Sequence, residues 1–474
     1  MSDMKLYVEK GTDLMRSSLI AYGLASVFHE LNADEIWISD LGMAYQLRVG
    51  VSLELVKDKI RRGGLPQVLP AITKPPSASE KKRLEAGEPQ EEIERRYLPI
   101  DYAGRKIDYG NEKQKSEARW KAKKAREEGE IPERHPDFPL WAHLCSYFGK
   151  GSAMRTGYPL LIHTWWAHHK QHDEALFDLI MSLYGDLPNQ VEDAAAYWID
   201  EIKPHLEYPD FELFNWSQSN LSDITALSIV SPTTAQGSFA TTSAKSLNNN
   251  SLDIFWLELY LAFAGYMAVG MPFKAGGDVL LYYPQPKRIE FWSLRRILDE
   301  YRNSSDVVRL YDYSNKMPRI KIDLLSQISF FRKMVDHYWL NHPDAGDIDA
   351  ITGLVGYYYK DISTQIPFDE TTFILPPWLP LQPSEAALED AEMILDEQAK
   401  IVRALRGDHA EELVILDDLR RFTTLGDPND FLQFAIAYGE HRFAKLVDQP
   451  WLPFLTFSTL ENVLMNNDIR DYRP

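Results

Sequence analysis

The chain has 474 residues, a length that predicts more than one domain, and its 45% hydrophobic and 12% aromatic residues are ample for packed cores. A net charge of −19 excludes a protein whose whole surface coats nucleic acid, but leaves room for a local basic region. The single cysteine, Cys145, excludes internal disulfides and zinc sites built on several cysteines, and is typical of the reducing cytoplasm.

The N-terminal residues 1–70 predict a small α/β unit. Apolar residues recur at helical spacing over residues 13–31, and residues 35–51 have the pattern of a strand, a turn and a returning strand. Prolines then end this pattern. A charged segment poor in apolar residues follows over residues 71–136, and we interpret it as a basic insertion.

The insertion concentrates positive charge. Residues 105–126 include nine basic and three acidic residues, a local charge of +6. A helix over residues 111–128 would align these cations in two stripes with Trp120 among them, and cationic stripes bind phosphates by releasing counterions. An exposed helix stabilised by pairs such as Glu117 with Lys121 is the alternative. The predicted phosphate contacts are Lys113, Lys115, Arg119, Lys121, Lys123, Lys124 and Arg126.

Residues 137–375 predict a mixed but mainly helical body. Its most apolar stretch, residues 254–271, includes Glu258 and is too short for a membrane span, so we predict a buried helix. A strand over residues 278–283 and helices over residues 290–301 and 322–341 follow.

A polar loop, residues 231–251, interrupts this body. Hydroxyl and amide side chains dominate it, and such groups read base edges or bind phosphate oxygens. An ordinary surface loop has the same composition, so both interpretations stay open. The candidate contacts to DNA are Gln236, Ser238, Lys245, Asn248, Asn249 and Asn250.

The C-terminal residues 384–474 predict a helical bundle. Four prolines between residues 376 and 383 mark a linker, after which Ser384 is a good helix N-cap. Apolar residues then recur at helical spacing, and 18 acidic against 9 basic residues give this section a charge of −9. The predicted fold class is α+β, mainly α, with an N-terminal α/β body that contains a basic insertion and a C-terminal helical bundle.

The strongest catalytic pattern is a group of histidines. His163, His168, His169 and His172 are followed by Asp173, and His168 and His172 would share a helix face, as two metal ligands must. A zinc protease would need glutamate in place of His169. A metal-dependent phosphohydrolase or nuclease built on this cluster is therefore an alternative function. Since no other catalytic motif is complete, we predict a non-catalytic protein without a metal site or other cofactor.

Several segments resemble one known family, the large subunit of type I CRISPR effector complexes (Cascade), in its I-B-like branch. The likeness extends loosely over residues 220–465 and does not include the basic insertion. The segments that carry it are residues 229–237 (IVSPTTAQG), 252–258 (LDIFWLE), 280–286 (LLYYPQP), 431–435 (FLQFA) and 453–461 (PFLTFSTLE).

The resemblance implies a cytoplasmic protein without catalysis or membrane attachment. Such subunits hold the 5′ end of the CRISPR RNA, sense the short motif beside the target in double-stranded DNA, and help to open the duplex. The implied partners are the backbone, 5′-end and small Cascade subunits, and an effector, either a helicase-nuclease or transposition proteins. In similar systems the same gene also supplies a small subunit by internal initiation, for which Met334 or Met393 would serve here. A helical scaffold without nucleic acid is the competing hypothesis.

Overall fold

A computed structural model describes the greater part of the chain. The predicted loop, most of the histidine cluster, Cys145 and Arg126 lie outside the described residues. The described residues are 3–11, 14–33, 35–73, 78–89, 106–125, 132–142, 161–162, 165, 173–185, 256–276, 278–341, 350–362, 364–376, 378–379 and 384–466.

Contacts divide the chain into two compact units. The first comprises Met1–Gly270 together with the short segments Glu290–Trp292 and Ile362–Pro367. The second comprises Met271–Ile289, Ser293–Asp361 and Phe368–Pro474.

The first unit begins with an antiparallel sheet in which β3 lies between β1 and β2. The hairpin predicted from residues 35–51 is confirmed, and its turn is closed by a hydrogen bond of 2.7 Å from the Gly42 amide to Asp40 Oδ1. Gly42 has a φ of +88°, which favours glycine. The elements of this unit are β1 (Met4–Glu9), α1 (Leu14–Glu30), β2 (Ile36–Asp40), β3 (Ala44–Val49), α2 (Leu53–Gly63), β4 (Ala71–Thr73), α3 (Ala78–Glu85), β5 (Lys106–Asp108), α4 (Tyr109–Ala125), α5 (Asp173–Tyr184) and α6 (Trp256–Val269).

The core of the first unit is a close crossing of α1 and α6. Both helices are buried on nearly every side, as the apolar sequence of α6 predicts. A methyl group on Gly23 would overlap the backbone carbonyl of Leu261, and one on Gly265 would overlap that of Leu19. The two glycines therefore let the helix backbones touch, each lying against the residue four positions before the other.

The remaining elements belong mainly to the second unit, whose sheet has the strand order β10-β9-β7-β6. β7 pairs antiparallel with β6 and with β9. The elements are β6 (Met271–Ala275), β7 (Asp278–Pro286), β8 (Arg288–Glu290), α7 (Phe291–Asn303), α8 (Ser305–Tyr313), a 3-10 turn (Ser314–Lys316), α9 (Arg319–Asn341), β9 (Ile351–Ile362), β10 (Thr364–Ile374), α10 (Glu385–Ala404), α11 (Ala410–Leu425), α12 (Pro428–Ala444) and α13 (Phe457–Asn466).

A buried ionic network joins helices and sheet in the second unit. Asp323 of α9 is 1% exposed, and its carboxylate accepts hydrogen bonds from Arg420 Nε of α11 (2.8 Å) and from the Tyr282 hydroxyl of β7 (2.5 Å). Arg420 also donates to the Thr371 hydroxyl of β10 at 3.1 Å. Burial, together with the negative charge of Asp323, raises the pKa of Tyr282 well above its ordinary value, so the phenol keeps its proton and serves as donor.

The C-terminal helices begin and end at capping residues that can be recognised in the sequence. The Ser384 hydroxyl accepts from the Ala387 amide at 3.3 Å, which confirms the predicted N-cap of α10. Gly426 ends α11 in the left-handed conformation, and the Asp427 carboxylate caps α12 by accepting from the Asn429 amide at 2.9 Å.

The chain is an α+β protein, mainly α, as predicted. Its sheets are small, and among the residues that the structure describes helices outweigh strands in both units. Among the described helices, none combines the length and the apolar character needed to cross a membrane.

Candidate nucleic-acid interface

The basic insertion contains an ordered helix, α4. Directly before it, β5 pairs in parallel with β4, so that Thr73 lies opposite Asp108. The Asp108 carboxylate then accepts from the Asn111 amide at 3.0 Å, an N-terminal cap that favours a helix starting at Tyr109. The parallel pair thus fixes where the cationic helix begins.

A second attachment holds the first turns of α4. The backbone amide of His135 donates to Glu112 Oε2 at 2.9 Å, and the ring of Tyr109 stacks on Phe138 with centroids 5.7 Å apart. Phe138 is 4% exposed. Residues 135–138, at the end of the insertion, therefore fold back against the start of the helix.

This attachment gives α4 two different faces. The residues of one face are half-buried: Glu112, Lys115, Ser116 and Arg119. The residues of the opposite face are exposed: Lys113, Glu117, Trp120 and Lys121. The described cations of the two predicted stripes lie on these different faces, and the face with Lys113 and Lys121 is the more open to a large ligand such as a nucleic acid.

The half-buried cation Lys115 is neutralised within the chain. Its ammonium group lies 2.7 Å from Glu112 Oε1. Burial of the Glu112 carboxyl opposes ionisation, but the hydrogen bonds from Lys115 and from the His135 amide outweigh it and lower the pKa of Glu112 below its ordinary value. Glu112 is therefore ionised at neutral pH, and the pair contributes little net charge to the surface.

The exposed face keeps its positive charge. The Lys113 side chain is 57% exposed, and its partner Glu117, at 3.9 Å and 58% exposed, forms only a weak surface pair. Lys121 is also exposed, and Trp120 is 39% exposed on the same face. The whole helix has six basic and two acidic residues, a net charge of +4. The face can therefore attract phosphates through its lysines and stack a base on the indole.

The other predicted contacts are only partly placed. The backbone of α4 includes Lys123 and Lys124, whose side chains lie outside the described residues, as does all of Arg126. The loop residues Gln236, Ser238, Lys245, Asn248, Asn249 and Asn250 also lie outside them.

Of the predicted histidine cluster, the structure describes Asp173 alone. His163, His168, His169 and His172 lie outside the described residues, whereas Asp173 begins α5 and its carboxylate accepts from the Leu65 amide at 3.3 Å. Within the part of the chain that the structure describes, no three His, Cys, Asp or Glu side chains are grouped to hold a metal ion.

The first unit also has an aromatic recess that no pattern in the sequence predicts. His29, Asn32 and Trp292 are among its lining residues, and the rings of His29 and Trp292 lie 5.0 Å apart. Trp292 is 51% exposed. The two rings come from residues more than 260 positions apart, so no local pattern in the sequence signals the recess.

No protein-family model matches the chain, and no curated protein sequence matches it. An exposed lysine pair beside an exposed tryptophan, on a helix fixed at its start, is suited to the backbone and bases of a nucleic acid.

Proposed function

We propose that this chain binds nucleic acid through the exposed face of α4, as the non-catalytic large subunit of a type I, I-B-like CRISPR RNA-guided surveillance complex (Cascade). The observation that carries the proposal is the grouping of Lys113, Trp120 and Lys121 on one exposed helix face, in a chain whose net charge is −19. The sequence resemblance over residues 220–465 supports the assignment to this complex.

The contrast in charge explains why binding is confined to one place. A nucleic acid is repelled by the acidic surface and attracted by α4, where the helix contributes +4. The lysines contact phosphates irrespective of sequence, and the indole accepts any base, so this face holds and positions a strand without reading it. Lys123, Lys124 and Arg126 extend the same basic segment, and Lys115 and Arg119 support it from the half-buried side.

Sequence recognition is assigned to the CRISPR RNA and to another segment of this chain. The CRISPR RNA reads the target by base pairing, and the loop residues 231–251, with Gln236, Ser238, Lys245 and Asn248 among them, sense the motif that flanks the target in duplex DNA. The protein acts in the cytoplasm with the backbone, 5′-end and small subunits. Cleavage or integration is performed by its effector, a helicase-nuclease or transposition proteins.

The test is a tagged pull-down of the full chain from cells that carry its native operon, followed by identification of the retained RNA and proteins. We expect a uniform short RNA together with several partner subunits. A variant with Lys113→Gln, Trp120→Ala and Lys121→Gln should retain the protein partners and lose much of the RNA or target DNA. A lone chain without RNA refutes the proposal: bound stoichiometric metal would favour the phosphohydrolase built on His168, His172 and Asp173, and retained proteins alone would favour the scaffold.

A further inference from the structure

The aromatic recess lies where two distant segments of the first unit meet. Strand β8 adjoins β2 in the first sheet, and the residues that follow β8 contact the end of α1. The recess encloses about 230 Å³, which is below the ~300–1,000 Å³ of sites for whole small molecules, so it suits a single side chain. Its lining includes His29, Asn32, Ile36, Glu290, Phe291 and Trp292.

Three aromatic rings form one wall of the recess. The His29 ring lies 5.0 Å from that of Trp292 and 6.0 Å from that of Phe291, measured between ring centroids. Phe291 is 1% exposed and fixes the wall to the core, whereas Trp292 is 51% exposed and open to a ligand. The face of an indole attracts a cation more strongly than that of any other aromatic side chain, so this wall favours a cationic ligand.

A carboxylate stands beside the aromatic wall. Glu290 is half-buried, and its Oε1 accepts a hydrogen bond from the Trp292 backbone amide at 3.0 Å. This bond caps the start of α7 and holds the carboxylate next to Trp292. Among the described lining residues, Glu290 alone has a formal charge at neutral pH, with histidine taken as neutral. The recess therefore offers a cation an anionic acceptor and an aromatic face together.

The loop that contributes Asn32 is fixed by hydrogen bonds. The Asn32 backbone amide donates to the His29 carbonyl at 2.9 Å, and the Lys59 ammonium donates to the carbonyls of Leu31 and Asn32 at 2.8 and 2.9 Å. Asn32 has a φ of +54°, a backbone conformation in which asparagine is enriched. The loop is therefore held in one conformation, and the charge of Lys59 is directed at the carbonyls that end α1.

The charges around the recess balance, so they do not select a ligand by themselves. Three acidic and three basic residues adjoin the lining segments in the chain or bind their carbonyls: Glu30, Asp34, Glu35, Lys59, Lys287 and Arg288. The remaining charge is that of Glu290, within the lining. Selection of a cation must therefore come from direct contact with this carboxylate and the rings beside it.

An arginine side chain matches these contacts better than a lysine side chain. A guanidinium group is planar, stacks on aromatic rings and donates two parallel hydrogen bonds to a carboxylate, whereas an ammonium group is compact and strongly hydrated. The apolar side chains of Ile36 and Phe291 suit the methylene stem. Because the described lining has no cation for the α-carboxylate of a free amino acid, it favours an arginine within a polypeptide, whose backbone is neutral.

We infer that the aromatic recess binds an arginine side chain of a partner protein. The guanidinium group stacks on Trp292 and pairs with Glu290, and the side-chain oxygen of Asn32 is a further acceptor at the rim. The recess shares no residue with α4 and needs no nucleic acid, so the inference can fail or succeed independently of the proposed function.

The test is a ligand-observed NMR titration of the full chain with blocked single amino acids, in the absence of nucleic acid. The probe is N-acetyl-arginine amide, and N-acetyl-citrulline amide is its neutral isostere. We expect the arginine probe to bind at least about fivefold more tightly than the citrulline probe, because hydrogen bonds to a charged group are the stronger ones. Trp292→Ala should weaken binding of the arginine probe at least about fivefold through loss of the stacking contact.

Glu290→Gln is the decisive variant, since a glutamine oxygen can still accept from the Trp292 amide. We expect it to bind the two probes with equal affinity, and this ratio does not depend on the fraction of folded protein. Glu35→Gln is the matched control. It removes the same charge from an exposed residue next to Ile36 that is not among the lining residues, and it should keep the preference for arginine.

Several results would overturn the inference. The first is equal binding of the arginine and citrulline probes to the original chain, or binding of neither. A second is loss of the preference in Glu35→Gln as complete as in Glu290→Gln, which would show that nearby charge and not the recess selects the ligand. Binding of adenosine in place of the arginine probe would identify a nucleobase as the occupant, and tighter binding of free arginine would identify the free amino acid.

Discussion

Neutralising the exposed face of α4 gives the most direct measure of nucleic-acid binding. The change is Lys113→Gln together with Lys121→Gln, which removes two positive charges and leaves the half-buried pair of Lys115 and Glu112 in place. Each phosphate contact contributes about 0.9 to the slope of log affinity against log salt for duplex DNA, and about 0.7 for a single strand. We therefore expect the slope to fall by about 1.8 for duplex and about 1.4 for single-stranded ligand.

The same slopes give the loss in affinity. Relative to 1 M salt, each duplex contact strengthens binding about fivefold at 0.15 M, so the double variant should bind duplex about 30-fold more weakly and a single strand about 14-fold more weakly. The difference should vanish as salt approaches 1 M. The assay is fluorescence anisotropy of labelled 30-nucleotide ligands over a series of salt concentrations.

A matched control separates local contacts from net charge. Lys81→Gln with Lys82→Gln removes the same charge from exposed lysines of α3, outside α4. We expect the control to keep the slope of the original chain. An unchanged slope in the α4 variant, or an equal fall in both variants, would refute the assignment of phosphate contacts to the exposed face.

Three further predictions concern the fold that supports these surfaces. Asp323→Ala should lower the free energy of unfolding by about 3 kcal/mol, measured by urea denaturation, because it leaves the Tyr282 hydroxyl and the Arg420 guanidinium in a largely buried site without their acceptor; a loss below about 1 kcal/mol would show that water replaces the carboxylate. Ser384→Ala should cost about 1 kcal/mol through loss of the α10 cap, and Ser384→Asp should restore the stability. The lowered pKa of Glu112 means that its anchor stabilises the fold fully above the ordinary glutamate value of 4.5 and is lost as pH falls through the lower folded value. The difference in unfolding free energy between the original chain and Glu112→Gln should therefore be constant above pH 4.5 and shrink below it; a difference that grows in acid would contradict the assignment.

The sequence predicts those helices and turns whose signals lie within a few neighbouring residues. The periodicity of residues 13–31, the turn residues Asp40 and Gly42, and the capping residue Ser384 each indicate an element that the structure contains. These features depend on neighbours within a few positions, so one sequence is enough to find them.

Features that depend on distant contacts could not be predicted in this way. The cations of α4 form two stripes in the sequence, and the packing of His135 and Phe138 against the first turn, which buries part of one face, is a contact that the pattern of the helix itself does not signal. Helix α12 has apolar residues on its exposed side as well as on its buried side, so the sequence pattern alone does not say which side packs inside the bundle. The strand β1 is not among the predicted elements, because it forms by pairing with β3, a strand about 40 residues further along the chain.

The crossing of α1 and α6 also constrains the order of events during synthesis. Gly23 and Gly265 are 242 residues apart, so a ribosome adding about 5–20 residues per second releases the second helix about 12–50 s after the first. Throughout that interval an apolar helix lacks the surface it is shaped to touch, which makes it a natural client for chaperones. Any expression fragment meant to represent the N-terminal unit must therefore extend beyond Val269. A fragment that stops at the basic insertion contains α1 but lacks α6, the helix on which α1 packs.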